Sequence, residues 1–200
     1  MLPCRRLIEL GDLSLTLPTA AALLAALLAS RSWRMAFCWS VLFASCVLLV
    51  GASKIAFMGW GAGWPAACFK ALSGHAAGVT AVFPMLFFLL LHHQGRRAGW
   101  FGLALGLVLG AVVAWWLVQL HEHSAMEAVA GWLAGALVNL GALRLAGVPP
   151  PLQPLPSAAA FLAVFLTGSW LMQWAPVGYW MILAARFLSG NRHLFSLGYL

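Results

Sequence analysis

Charge is what this sequence has least of. Of its 200 residues only 8% are charged, while 64% are hydrophobic and the mean hydropathy is +0.94. Ordinary soluble domains carry about 25% charged residues. So little charge cannot cover a surface exposed to water, which excludes a soluble globular protein and makes lipid the solvent for most of the chain. Cys4, Cys38, Cys46 and Cys68 form no CxxC pair and no metal-ligand spacing, so no zinc or other metal framework is expected. Cys38 and Cys46 lie in an apolar run and read as small fillers. There is no internal repeat. No ionisable residue falls at the middle of a predicted span, which argues against a proton-coupled transporter.

The net charge of +7 does not point to nucleic acid. The basic residues come as pairs at the ends of apolar runs: Arg5-Arg6, Arg31 with Arg34, and Arg96-Arg97. There they anchor spans against anionic headgroups and bias topology. The apolar runs predict about six transmembrane helices in one membrane domain covering 1–200. Their expected extents are 15–29, 35–53, 75–91, 100–120, 124–145 and 157–185, the last bent near Pro176. Helices are expected because lipid leaves no free backbone group satisfied. Glu9 and Asp12 interrupt the usual charge order of a signal peptide, so the first run is read as a retained span. The run "GVPPPLQPLP" breaks helix before the sixth span. "GLALGLVLG" at 102–110 carries small residues at spacings that suit close helix packing. Trp60, Trp64, Trp100, Trp115 and Trp116 are headgroup-level anchors, and Trp60 and Trp64 would roof a site.

Six spans put the N-terminus, the 54–73 connection, the 121–123 loop and the tail on one face. Most of the ionisable residues at span ends gather there: Lys54, Lys70, His75, His121, Glu122, His123 and Glu127. Such residues at membrane depth are functional candidates. In "HEHSAMEAVAGWLAG", His123 and Glu127 stand four apart on one helix face. A carboxylate there can fix the imidazole tautomer and leave the other nitrogen as nucleophile or base. Two ligands on one helix are too few for a zinc site. The alternative is a solvated pair at a helix start, with Glu127 favoured by the helix dipole. In "KALSGHAAG", Ser73, Gly74 and His75 open a helix, where unpaired amides and the dipole suit an anion. His75 beside a bound phosphate could protonate a leaving oxygen. A Ser cap with a solvated His is the plainer reading of that stretch.

Taken together, "K-x18-SGH" and "HSxxE-x3-GW" resemble the type 2 phosphatidic acid phosphatase superfamily, the membrane lipid phosphatases related to vanadium haloperoxidases. The resemblance runs from Lys54 to Gly135. It implies an all-α integral membrane bundle of that type, with 54–135 as the catalytic core. It also implies a lipid phosphatase or pyrophosphatase working through a phosphohistidine, without cofactor or metal. By that resemblance His123 is the nucleophile, Glu127 its orienting partner and His75 the acid. Ser73 and Gly74 would hold phosphate oxygens, and Lys54 would neutralise phosphate charge. Several family positions differ. Gly61 stands where an Arg is expected, Trp116 and Leu117 where Ser-Arg is expected, and Leu72 where Pro precedes the Ser-Gly-His. Lys70 would then supply a compensating charge, though without an arginine's bidentate fork. His121 could help if protonated. The alternative is a non-catalytic family member that binds lipid or assists transport. The expected partners are the bilayer and a lipid-linked phosphate, with no nucleic acid. The expected location is a bacterial inner membrane, with the site on the periplasmic side.

Overall fold

A computed structural model describes residues 7–191 and 193–197. Arg5-Arg6, Cys4 and Arg192, to which the sequence gives anchoring or filling roles, lie outside the described residues. Among the described residues seven α-helices of thirteen residues or more follow one another: α1 (Leu13–Ala29), α2 (Trp33–Trp60), α3 (Gly74–His92), α4 (Arg96–Gln119), α5 (Ala125–Ala146), α6 (Pro154–Met172) and α7 (Val177–Ser189). Five of them, α2 to α6, are long and apolar enough to cross a membrane. α1 has 17 residues and at about 1.5 Å per residue reaches about 25 Å, a little short of a hydrocarbon core of about 30 Å. The described chain is an all-α membrane bundle.

α3 is the central helix. It packs against α1, α2, α4 and α5, and eleven of its residues are buried. Close approach needs missing side chains, and glycine provides them. A Cβ on Gly106 of α4 would run into the Pro84 backbone of α3, and one on Gly131 of α5 would sit 2.5 Å from the Ser73 carbonyl oxygen. In lipid, packing of this kind holds helices together because no hydrophobic force acts between them. One buried polar knot ties α2, α3 and α5. Asn139 Nδ2 donates to the carbonyls of Thr80 (2.7 Å) and Gly135 (3.1 Å), and Trp39 Nε1 donates to Asn139 Oδ1 at 3.4 Å.

Two boundaries differ from the sequence reading. α2 runs on to Trp60, which puts Lys54 on helix rather than in a connection. α2 contains no proline, its glycines Gly51 and Gly59 keep helical geometry, and Gly61, with a left-handed φ of 66°, ends it. The expected bent sixth span is two helices. α6 lies along α1, with Ser157 Oγ 2.6 Å from Ser30 Oγ and Gly168 against Pro18. It stops at Met172, and α7 restarts after Pro176 and runs to Gly59 of α2, where Ala185 and Ser189 pack. Pro176 cannot donate a backbone hydrogen bond, so the break falls beside it. The tail folds back onto the end of α2, where Asn191 Nδ2 donates to the Gly59 carbonyl (2.7 Å) and the Phe195 N–H to the Met58 carbonyl (2.9 Å).

Candidate functional site

The site forms where the end of α2, the starts of α3 and α5, and the residues before α1 meet. Glu127 is its hub. The carboxylate has no solvent exposure, and four donors converge on it. Oε2 accepts from His123 Nδ1 (2.9 Å) and the Ser124 N–H (3.2 Å). Oε1 accepts from the Lys70 N–H (2.7 Å) and the Ala71 N–H (3.3 Å). A carboxylate has about four lone-pair positions, and all are used. The sequence supports this locally, because Ser124 and Glu127 form a reciprocal capping box at the start of α5. Glu127 therefore caps its helix and holds His123, and its full burial sets aside the alternative of a solvated pair.

With Nδ1 donating to Glu127, the lone pair of the His123 imidazole resides on Nε2. Burial pulls His123 below its ordinary value, and the hydrogen bond and charge of Glu127 pull it partly back. The neutral, nucleophilic form is thus favoured over the imidazolium near neutral pH.

Lys54 reaches the same place from α2. Its Nζ is 3.5 Å from the point a Gly74 Cβ would occupy, and it lies within electrostatic reach of Glu127, His75 and His123. His75, the second residue of α3, is half-buried and feels Lys54, Asp12, His123 and Glu122. The structure thus brings Lys54, Gly74, His75, His123 and Glu127 together.

Two residues make contacts that were not expected. Ser73 is fully buried. Its amide donates to the Glu127 carbonyl (3.2 Å) and its hydroxyl accepts from the Ala76 N–H (3.3 Å). That commitment makes Ser73 a strut between α3 and α5, and leaves the amides of Gly74 and His75 as first-turn N–H groups of α3 outside these bonds. Lys70 meets Glu127 through its backbone N–H, a contact separate from the side-chain charge that the sequence points to. His121 is exposed, with a left-handed φ of 57°. Trp60 and Trp64 are both more than half exposed. Among the described residues no group of three or more His, Cys, Asp or Glu could hold a metal ion.

Sequence reasoning missed two participants, Ser53 and Asp12, and kept Glu122 among the candidates without giving it a role of its own. Ser53 accepts from the Leu72 N–H (3.1 Å) and so fixes the strand of chain leading into α3. Glu122 carries a charge felt by both histidines. Asp12 caps α1 through Ser14 N–H (2.8 Å), and that bond, more than any other influence, holds its carboxyl below the usual range. Its neighbour Gly11 rests on His75, so that a Cβ there would come within 2.7 Å of the His75 Cβ. A capping Asp before an apolar run is visible in sequence; its docking on His75, across more than 60 residues, is not.

The fold and composition define an all-α membrane protein with a polar pocket at one end. No model of a known protein family matches the chain, and no solved structure matches it. Among curated proteins, it is similar to an uncharacterized 22.5 kDa protein in the cps region of Klebsiella pneumoniae. The two are 39% identical over 127 residues, 63% of this chain. The match spans about three fifths of that relative's length, 61%.

Proposed function

We propose that the protein is a membrane-embedded phosphatase acting on a lipid phosphate or pyrophosphate. The observation that carries this reading is the His123–Glu127 pair, with a saturated, buried carboxylate holding the imidazole beside Lys54 and the start of α3. In this reading the phosphate sits against the Gly74 and His75 amides, with the Lys54 ammonium neutralising its charge. His123 Nε2 attacks phosphorus, forming an N–P bond as the ester P–O bond breaks. His75 gives its proton to the departing oxygen. Water then attacks the phosphohistidine, His75 takes up a proton from it, the N–P bond breaks and inorganic phosphate leaves. The resemblance to the type 2 phosphatidic acid phosphatases supports the same assignment. The site would face the periplasmic side of a bacterial inner membrane, because Arg31, Arg34, Arg96 and Arg97 crowd the short loops of the other face.

A second reading has an observation of its own. The charge that reaches both histidines from α2 is carried by a lysine, Lys54, whereas spreading charge on a phosphoryl group is best met by arginine forks. A binding protein that holds a lipid phosphate without turning it over would need no more. One experiment separates the two: phosphate release from a panel of lipid phosphates by the purified protein and by His123→Ala. Release by the wild type, abolished in the variant, supports the enzyme. No release above the variant's background on any substrate leaves the binding reading.

A further inference from the structure

A cavity of about 840 Å3 runs inward from the site between α1, α2 and α3, with the α6–α7 break as its remaining wall. Its composition is graded. Asp12, Lys54 and His75 stand at one end, and the wall beyond them is almost wholly apolar, with Val47, Cys46 and Phe43 furthest along α2. From Lys54 to Phe43 is eleven residues of helix, about 16 Å. With C–C bonds of about 1.5 Å an extended chain advances about 1.3 Å per carbon, so about twelve carbons fit that length.

Three features keep this space open. Gly51 contributes no side chain, and a Cβ there would meet nothing within 4 Å. The break between Met172 and Val177 replaces a helix wall with a turn, and Ala175 and Pro176 line the cavity. Non-helical backbone at membrane depth is tolerated where it lines a cavity. Finally, Leu48 and Ala52 are lining residues that are also exposed on the outer side of α2, so the cavity opens sideways toward lipid.

We propose that this cavity holds one apolar chain of the phosphate-bearing lipid, with the phosphate at Lys54 and His75. The proposal rests on the phosphate reading of the His123 site. The chain leaves one apolar medium for another, so the slot adds little raw affinity. Its effect is positional. A chain lying along α2 fixes the depth and direction of the ester, which presents phosphorus to His123 in one orientation.

The test uses the full chain in phosphatidylcholine nanodiscs and a dodecyl phosphate with a diazirine at its terminal carbon. Irradiation is expected to label α2 within 43–47 and the α6–α7 turn within 172–181. Gly51→Leu pushes a side chain into open cavity space and favours helix, so it is expected to fold. It should cut that labelling at least tenfold, and Gly178→Leu, equally open at its Cβ, should do the same from the opposite wall. Labels spread over the outer faces of α4 and α5, or yields unchanged in both variants, would overturn the slot. Phosphate release is measured beside it on dodecyl and phenyl phosphate. Mapped labelling without release sinks the phosphatase and keeps the slot. Equal release from both esters with scattered labels sinks the slot and keeps the phosphatase.

Discussion

Replacing Glu127 by Gln keeps the shape of the hub and changes one atom from acceptor to donor. Two orientations of the new amide are available. If its NH2 faces Lys70 and Ala71, two backbone N–H groups at 2.7 and 3.3 Å from the old oxygen meet a donor and cannot adapt. If it faces His123 and Ser124, only the Ser124 N–H at 3.2 Å is stranded, because the imidazole can switch tautomer and accept at Nδ1. The second orientation wins. Its stability cost is that of one unsatisfied buried N–H, about 1–3 kcal/mol. Its chemical cost is larger, since the proton moves to Nε2, the atom that attacks phosphorus in the proposed mechanism. Holding a catalytic imidazole in the wrong tautomer costs about 10^4-fold in a related triad geometry, and a loss of about 10^3-fold or more is expected here. Two assays check this in the same preparation. Phosphate release from a lipid phosphate reads the rate, and nitrogen-15 shifts of the His123 ring read the tautomer. Wild type should show a protonated Nδ1 and Glu127→Gln a protonated Nε2. An unchanged tautomer, or full activity in a folded Glu127→Gln protein, would refute the reasoning.

Four further outcomes are expected. Burial holds the His123 imidazole below its ordinary value of about 6.5, so below that pH the unfolded chain binds a proton that the folded one resists. Its contribution to stability is therefore full above about pH 6.5 and declines as pH falls toward the folded value; the acid limb of kcat/KM should lie below 6.5, and a midpoint above it contradicts the assignment. Lys54→Met should lower kcat/KM about 100-fold or more by removing the charge proposed to face the phosphoryl group, with Lys54→Arg recovering part of it; equal rates in all three proteins exclude Lys54 from the site. Gly131→Ala places a Cβ 2.5 Å from the Ser73 carbonyl oxygen and should cost about 1–3 kcal/mol by overpacking, read as a lowered unfolding temperature with lost release; an undisturbed protein shows that α3 and α5 can part freely. Asp12→Ala removes the cap of α1 and should cost about 1 kcal/mol, with Asp12→Asn close to wild type in the same thermal scan.

The membrane class, the helical content and most span boundaries were legible in sequence because lipid imposes one rule on every segment. A long apolar run between basic or Gly- and Pro-rich stretches must close its own hydrogen bonds, and only helix does so. The starts of α3 and α5 were legible for a second reason, since Ser caps mark both. The misreadings share a cause. Lys54 lowers local hydropathy, so a hydropathy reading ends the span before it, yet nothing in the backbone chemistry stops the helix until Gly61. The α6–α7 break sits inside one apolar run, where only the fit of Ala175 and Pro176 around a cavity distinguishes a break from a bend.

By itself the sequence determined the solvent, the all-helical class and the pairing of His123 with Glu127, because all three depend on residues close together in the chain. Tertiary structure decided what those residues face. It assigned the Ser73 amide to Glu127, drew the Lys70 and Ala71 amides onto the same carboxylate, laid Gly11 across His75 and opened a cavity beside Lys54. Each of these contacts joins segments far apart in sequence. Their existence depends on how closely two helices approach, which is set by the glycines between them and by no local pattern.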